Sequence, residues 1–559
     1  GLPYFAVSTT GPLLQRWLSL TKLNQFPYRL YALSNLASFI ALLSYPFVIE
    51  PLLTLNAQSL IWRVTFFCLV SLFIFQIFSL SQISITKESA QDGENAKVPI
   101  INQLLWLLFS AAGVMTLVST TSAMTQNIPP IPFLWILPLS LYLITYIICF
   151  NNLRWYVRWY WLALFIVGSI ASVLMFFAGS QFDIVTQVLM YSVILFAACM
   201  ICHGELSHLK PEPNKLTQFY LLLALGGFLG SAFISLVAPN VFSLFYEYPL
   251  AIALVLSLFA FRLLTLSGKE TADYSVVTNA KPMAWSALVC LALLIPTFIS
   301  LNSSYTQHDL AKHRNFYGIL SVKDVEVNEY LERRLIDGTT SHGTQSLNPN
   351  LRNIPKSYYR NETGVALAIK HIKPQKPIDV GVIGLGAGTL AAYGKTGDNY
   401  LFFELNPLVK AMAEQHFTYL EDSKSNTQVL LGDARLTLSN LADKNEKQSL
   451  DILVIDAFSG DAIPTHLLTT EAVDLYWQHM KPNGVLAFHI SNSHLDLTPL
   501  MRGLIKHFQG YGALFHTPAR DNEIHDVRWV LMSKSNAFFE KAIVSLQQSD
   551  WPNQHEPIV

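Results

Sequence analysis

The chain has 559 residues, of which 52% are hydrophobic and only 13% charged, at a formal net charge of −1. Soluble chains carry about 25% charged residues, so an ordinary water-soluble enzyme is excluded. No basic run of the kind a phosphate backbone needs is present, and nucleic acid is not an expected partner.

The apolar excess lies before residue 305, so two unlike parts are joined. The five cysteines, Cys68, Cys149, Cys199, Cys202 and Cys290, all lie in apolar segments. Cys199 and Cys202 form CMIC inside such a run, which reads as packing rather than as metal or redox chemistry. No cysteine follows Cys290, so the globular part has no disulfide framework.

The chain opens at Gly1, and GLPYFAVSTTGPLLQRW reads as the end of a spanning helix with a polar exit, upstream helices being missing. Spans need roughly 20 mostly apolar residues. The pattern predicts nine: about 30–53, 60–85, 100–123, 131–150, 156–178, 183–202, 216–238, 242–266 and 281–301. Trp155, Tyr156 and Trp159 sit where an interfacial belt would. Within this half, CHGELSHLKPEPNKLTQFY sets His203, Glu205, His208 and Lys210 just past a span, and LGGFLGS follows with Gly226, Gly227, Gly230 and Ser231. Two readings stand: an interfacial loop beside a close small-xxx-small helix contact, or a polar site for a substrate or ion. His203 and Glu205 are too close in sequence to share a helix face, so no metal is expected.

Two arguments about sidedness disagree. Lys and Arg are sparse after spans one, three, five and seven and present after spans two (Lys87, Lys97), four (Arg154, Arg158), six (Lys210, Lys215) and eight (Arg262, Lys269). Cytoplasmic enrichment of these residues puts residue 29 inside, and nine spans then put residue 305 outside. Supply of a ligand made in the cytosol leans the globular part to the cytoplasm instead.

From about residue 306 charge returns. RNFYGILSVKDVEVNEYLERRLIDG predicts short strands by its alternation. TTSHGTQSLNPNLRNIPKSYYRNETG predicts a polar loop, with a helix starting near Thr363. The α/β core comes next. DVGVIGLGAGTL is a short apolar strand running into Gly384, Gly386 and Gly388. YLFFELNP ends in Glu404, QVLLGDA in Asp433, and LDILVIDAFSGDAIP in Asp456 and Asp461. NPLVKAMAEQHFTYL has helical spacing; HLLTTEAVDLYWQHMKPNGVLAFHISN predicts a helix, a turn at Pro482–Gly484 and a strand; DVRWVLMSK predicts a late strand. In an open parallel sheet the carboxyl ends of the strands line the ligand crevice. Glycines let the backbone approach a ligand, and an acid about 20 residues on grips ribose hydroxyls. Glu404 suits a ribose diol and Asp433 an adenine amino group, because carboxylates accept the hydrogens these donate. No Walker lysine follows GAGTLA, which argues against ATP hydrolysis. His342 and His489 read as packing or structural residues.

NFYGIL, DGTTSHGTQ, SYY, GLGAGTL, FFELNP, GDAR and IDAFSGDAIPTHLLTTE together resemble the polyamine aminopropyltransferases, the spermidine and spermine synthases, over about residues 314–535. The likeness is to the bacterial members fused behind a membrane domain. The fold it implies is a multi-pass helical membrane domain (1–305), a small β-rich subdomain with a substrate loop (306–362) and a Rossmann-like, class I methyltransferase-type domain (363–559). It implies nucleoside contacts from Gly384, Gly386, Gly388, Glu404, Asp433 and Ala434. It makes Asp456 the catalytic base, with Gln345, Tyr358, Tyr359 and Asp461 toward donor and amine. The co-substrate implied is decarboxylated S-adenosylmethionine, S-adenosylmethionine itself being the alternative donor; the acceptor is a polyamine such as putrescine or spermidine, without a metal. A bacterial plasma membrane location and a homodimer are also compatible with it. Two departures bear on donor and acceptor identity. Ala387 stands where the family usually has an acid that holds the donor's ammonium, and Asp456 and Asp461 are five apart rather than three. A methyltransferase is the alternative enzyme; a transporter or sensor with a non-catalytic domain is the alternative of another class.

Overall fold

The computed structural model describes residues 10–19, 27–81, 98–126, 133–212, 215–265, 280–327, 330–338, 340–373, 375–458, 463–492, 495–519, 526–541, 544 and 547–551. The chain divides into two compact units, one holding the apolar helices up to Ser304 and one beginning at Tyr305.

Among the described residues of the first unit, nine helices are long and apolar enough to cross a membrane, from Arg29–Leu52 to Ala280–Thr306. Their faces are not those of a water-soluble bundle. The helix Leu55–Ser81 exposes Trp62, Phe67 and Phe75, each at 65–69%, and apolar surface on that scale needs an apolar surround. The stretch around Gly1 differs from its expectation: Thr10–Ser19 is a short helix, and the residues before it lie outside the described set. Lys87, Lys97 and Lys269, on which the sidedness argument partly rests, lie outside it too.

The glycines of LGGFLGS mark a close helix contact. A Cβ at Gly226 would lie 2.3 Å from the Leu107 carbonyl oxygen, and one at Gly230 would lie 2.6 Å from that of Ala111. Helix Leu216–Ala232 therefore lies backbone to backbone against Ile100–Gln126, as small residues permit. Gly227 faces side chains instead, Val114 at 3.4 Å and the Ser110 hydroxyl at 3.8 Å. Gly226→Ala is thus expected to destabilise the protein by about 1–3 kcal/mol through overpacking, and Gly227→Ala to leave it unchanged or slightly firmer. Thermal melts of the two variants in detergent, compared with the parent, check the contrast.

The helix Ile184–His208 runs past its predicted end near residue 202, and His203 and Glu205 lie inside it, both fully buried. Ion pairing is the reason. Arg158 clamps Glu205 with two bonds, Nε to Oε1 at 2.6 Å and a terminal nitrogen to Oε2 at 3.0 Å, and the Tyr156 hydroxyl donates to Oε1 at 2.9 Å. His203 stacks on Tyr146 at 3.6 Å and bonds through Nδ1 to the Thr145 hydroxyl at 2.8 Å. Among the described residues no group of His, Cys, Asp and Glu is disposed to hold a metal ion.

The second unit starts with a four-stranded antiparallel meander, β1 (Asp309–Asn315), β2 (Gly318–Val327), β3 (Tyr330–Asp337) and β4 (Thr340–Ser346). The polar stretch TTSHGTQS was expected to be loop; its residues 340–346 form β4 instead, paired to β3. Tertiary partners override its low strand propensity. The Gln345 amide donates to the Arg352 carbonyl and the Thr418 hydroxyl and accepts from the Thr418 N–H, and the His342 carbonyl accepts from Ala387 N–H.

Seven strands follow: β5 (Asp379–Ile383), β6 (Asn399–Glu404), β7 (Asn426–Leu431), β8 (Leu450–Ile455), β9 (Met480–His489), β10 (Tyr511–Thr517) and β11 (Val527–Ser533). Their spatial order is β10-β11-β9-β8-β5-β6-β7, parallel except at β11 and β10. A sheet covered on both faces needs continuous apolar strands, which Ile452 to Ile455 of β8 supply. Ile452 and Val454 enter one apolar layer, Leu453 and Ile455 the other. The predicted turn at Pro482–Gly484 is absorbed into β9, where the pairing with β8 shifts register between Leu450 and Ile452. The chain builds β5, β6 and β7 outward on one side, then returns to lay β8 and β9 on the other. The reversal falls between β5 and β8, and that switch point is where a doubly wound sheet opens its crevice.

Candidate active site at the switch point

Gly384 leaves β5 with φ +99°, and Gly386 follows at φ +52°, conformations that side chains with a Cβ rarely adopt. Both also come against backbone. A Cβ at Gly384 would lie 2.4 Å from the Asp456 carbonyl oxygen, and one at Gly386 would lie 2.3 Å from that of His342. The glycine loop is thus wedged between the end of β8 and β4. Gly388, also at positive φ, caps the short 3-10 turn Thr389–Tyr393.

Glu404 ends β6 beside this loop, at 7% exposure. Its Oε2 accepts the Leu385 N–H at 3.0 Å and its Oε1 the Asn406 N–H at 2.7 Å. Burial pushes its carboxyl above the ordinary range, opposed by those N–H donors. The carboxylate therefore braces the loop that carries the glycines. Asp433 caps the helix Ala434–Asp443, its Oδ1 accepting the Leu436 N–H at 2.9 Å, and its Oδ2 meets His466 Nε2 at 3.1 Å. Ala434 is buried in the first turn of that helix. Glu404→Gln keeps one acceptor but turns an NH2 toward a backbone donor. Under the function proposed below, it is expected to weaken methylthioadenosine binding about tenfold, the loss of one charge-assisted bond. Calorimetry on the full chain reads this.

Asp456 follows β8. Its side chain is 3% exposed. Oδ2 accepts the Tyr359 hydroxyl in a short bond, and Oδ1 meets His489 Nδ1 at 2.7 Å. Tyr359 comes from the turn Ser357–Tyr359, and its neighbour Tyr358 packs against it at 4.4 Å between ring centres. Burial, and then the Asp456 charge, push the Tyr359 hydroxyl well above its usual range, so it stays protonated and donates. His342 also faces Asp456 electrostatically, and burial lowers its pKa. Its Nε2 is buried without a hydrogen-bond partner, 4.0 Å from Asp337, whose carboxyl burial pushes up to about 6.

The structure brings together the glycine loop, Glu404, Asp456, Tyr358 and Tyr359. Gln345 is buried at 2%, its amide engaged with Arg352 and Thr418. Asp461 lies outside the described residues. Ala387 is 1% exposed and packs with Leu320, Val322, Leu335, Met412 and Phe417. His489, which the sequence marks only as a packing or structural residue, bonds the candidate base directly. Strand register could have found it: Ile455 pairs with Phe488, so the residues after each strand end as neighbours.

A base with two fixed donors, set in a crevice with a braced glycine loop, can accept a proton from a nucleophile bound there.

No family model matches the chain. A polyamine aminopropyltransferase of Vibrio vulnificus is 28% identical over 214 residues, 36% of this chain and 66% of that protein. The match therefore spans about two thirds of that relative's length. An N-terminal histidine N-methyltransferase of Emericella nidulans is 31% identical over 109 residues, 19% of each chain. Among solved structures, spermidine synthase from Thermotoga maritima aligns with 41% of this chain and 73% of its own at 16% identity, with a TM-score of 0.31. Over its α/β half, the chain is similar in sequence to the polyamine aminopropyltransferases, the spermidine synthase family.

Proposed function

We propose that the chain is a membrane-anchored aminopropyltransferase, moving the aminopropyl group of decarboxylated S-adenosylmethionine onto a polyamine and releasing methylthioadenosine. The observation that carries this reading is the buried Asp456 carboxylate at the switch point, with Tyr359 on one oxygen and His489 on the other. The nine apolar helices supply the anchor, and a bacterial plasma membrane is the setting.

The chemistry makes definite demands. The acceptor amine must lose a proton, because an ammonium has no lone pair. Asp456 takes that proton. The amine nitrogen bonds the methylene beside the sulfonium, and the carbon–sulfur bond breaks with its electron pair going to sulfur. A neutral thioether leaves. Holding amine and sulfonium in line supplies much of the rate, since both reactants are bound. In this reading Gly384, Gly386, Gly388 and Glu404 hold the ribose side of the donor, Asp433 and Ala434 the adenine, and Tyr358 and Tyr359 flank the reacting atoms. Gln345 supports the substrate loop through the Arg352 carbonyl. Asp461 is the candidate anchor for the acceptor's far ammonium.

Methyl transfer from S-adenosylmethionine is the second reading. Ala387 favours it, because this apolar side chain offers no charge to a donor ammonium, and so does the likeness to the histidine N-methyltransferase. Purified full-length protein offered both donors with mixed polyamines, followed by mass spectrometry, separates the two. Aminopropylated amine with methylthioadenosine is the expected outcome. Methylated amine with S-adenosylhomocysteine would replace the proposal by the second reading, and no product from either donor would remove both.

A further inference from the structure

His489 ends β9 with its ring in a closed chain of bonds. Nδ1 meets Asp456 Oδ1 at 2.7 Å, and Nε2 meets the Ser491 hydroxyl at 2.9 Å. The same hydroxyl accepts the Arg528 N–H at 2.8 Å. A carboxylate only accepts, so the imidazole proton that meets Asp456 sits on Nδ1. Nε2 is then the acceptor for the one proton of the Ser491 hydroxyl. The ring is also held in its plane. Tyr358 stacks on it at 4.7 Å and 26°, Trp529 at 4.6 Å and 14°, and Phe458 meets it edge-on at 4.9 Å. Trp529 is its register partner on β11, so the sandwich is built into the sheet.

We infer that His489 is a positioning residue that sets the charge and orientation of Asp456, with Ser491 deciding which imidazole nitrogen carries the proton. The inference rests on the transferase reading above. Its chemistry is that of an orienting partner: a donor to the charged form of a carboxylate favours that form. With His489 on one oxygen and Tyr359 on the other, the Asp456 carboxylate is held in one orientation. A remaining lone pair faces the amine proton, and His489 itself takes no part in bond making. Among the described residues, the other titratable groups facing Asp456 are Tyr358 and Tyr359 from the turn before the core and His342 from β4; those facing His489 are Asp456 and Tyr358.

Three variants of the full chain test this. His489→Leu removes the donor. His489→Asn restores an N–H at the Nδ1 position. Ser491→Ala frees the tautomer without touching Asp456. His489→Leu is expected to lower kcat by on the order of 10²-fold with KM for the donor within about threefold, and to move the acid limb of kcat/KM to higher pH. His489→Asn should recover most of the rate and the parent's acid limb, and Ser491→Ala should fall between. Methylthioadenosine affinity close to the parent's confirms that each variant is folded; if His489→Leu fails that check, the Asn and Ala variants carry the comparison. Parent, Leu, Asn and Ala proteins with superimposed rates and acid limbs would overturn the inference while leaving the transferase reading intact. A parent protein that yields no thioether product with any amine would remove that reading instead.

Discussion

Asp456→Asn is expected to reduce turnover by at least about 10²-fold, the lower end of what a positioned general base contributes. Methylthioadenosine affinity should stay within a few-fold of the parent's. The geometry explains the separation. In the proposed reading the nucleoside is held by the glycine loop and by Glu404, whose bonds among the described residues go to Leu385 N–H and Asn406 N–H rather than to Asp456. The amide that replaces the carboxylate would keep an oxygen for His489 and present an NH2 to Tyr359, whose hydroxyl can turn and accept. The fold should therefore survive, and only the proton acceptor is lost. Calorimetry and a product assay on the same sample measure the two quantities. A variant that keeps a near-normal rate would show that Asp456 is not the base.

Glu205→Ala is expected to cause the largest loss of stability, about 3–5 kcal/mol, the range for leaving a buried charge without its partner. The Glu205 side chain is wholly buried and that of Arg158 is 16% exposed. Arg262 approaches the other carboxylate oxygen at 3.7 Å. Removing the carboxylate leaves cationic groups facing each other inside a helical unit, with no solvent to replace the lost bonds. The double variant with Arg158→Ala should recover part of the loss, because the two residues act as one unit. Melting of the detergent-solubilised protein gives the magnitudes. A Glu205→Ala melt equal to the parent's would mean the cluster is not structural, and would return the polar-site reading of this stretch to consideration.

Periodicity and run length determined much of this protein. Among the described residues nine apolar stretches, the shortest of 18 residues, are helices long enough to cross a membrane, and a helix satisfies its own backbone groups in an apolar surround. The strands leading to Gly384, Glu404 and Asp456 were legible for a related reason: buried parallel strands read as apolar runs; β7, before Asp433, is largely exposed. Where the pattern was weak, tertiary contacts decided. TTSHGTQS lacks strand propensity, yet residues 340–346 form β4 because β3 and Thr418 satisfy its polar groups. The segment after Cys202 remains helical to His208 because Arg158 and Tyr156, some 47 and 49 positions away, meet Glu205. His489 is the plainest case. Nothing near it in sequence marks it as more than a packed histidine. Only the sheet order, which makes β9 the neighbour of β8, sets its Nδ1 on the Asp456 carboxylate, and only the pairing with β11 closes Trp529 over its ring. Such a site is a meeting of strand ends, and a one-dimensional pattern carries the ends but not their neighbours.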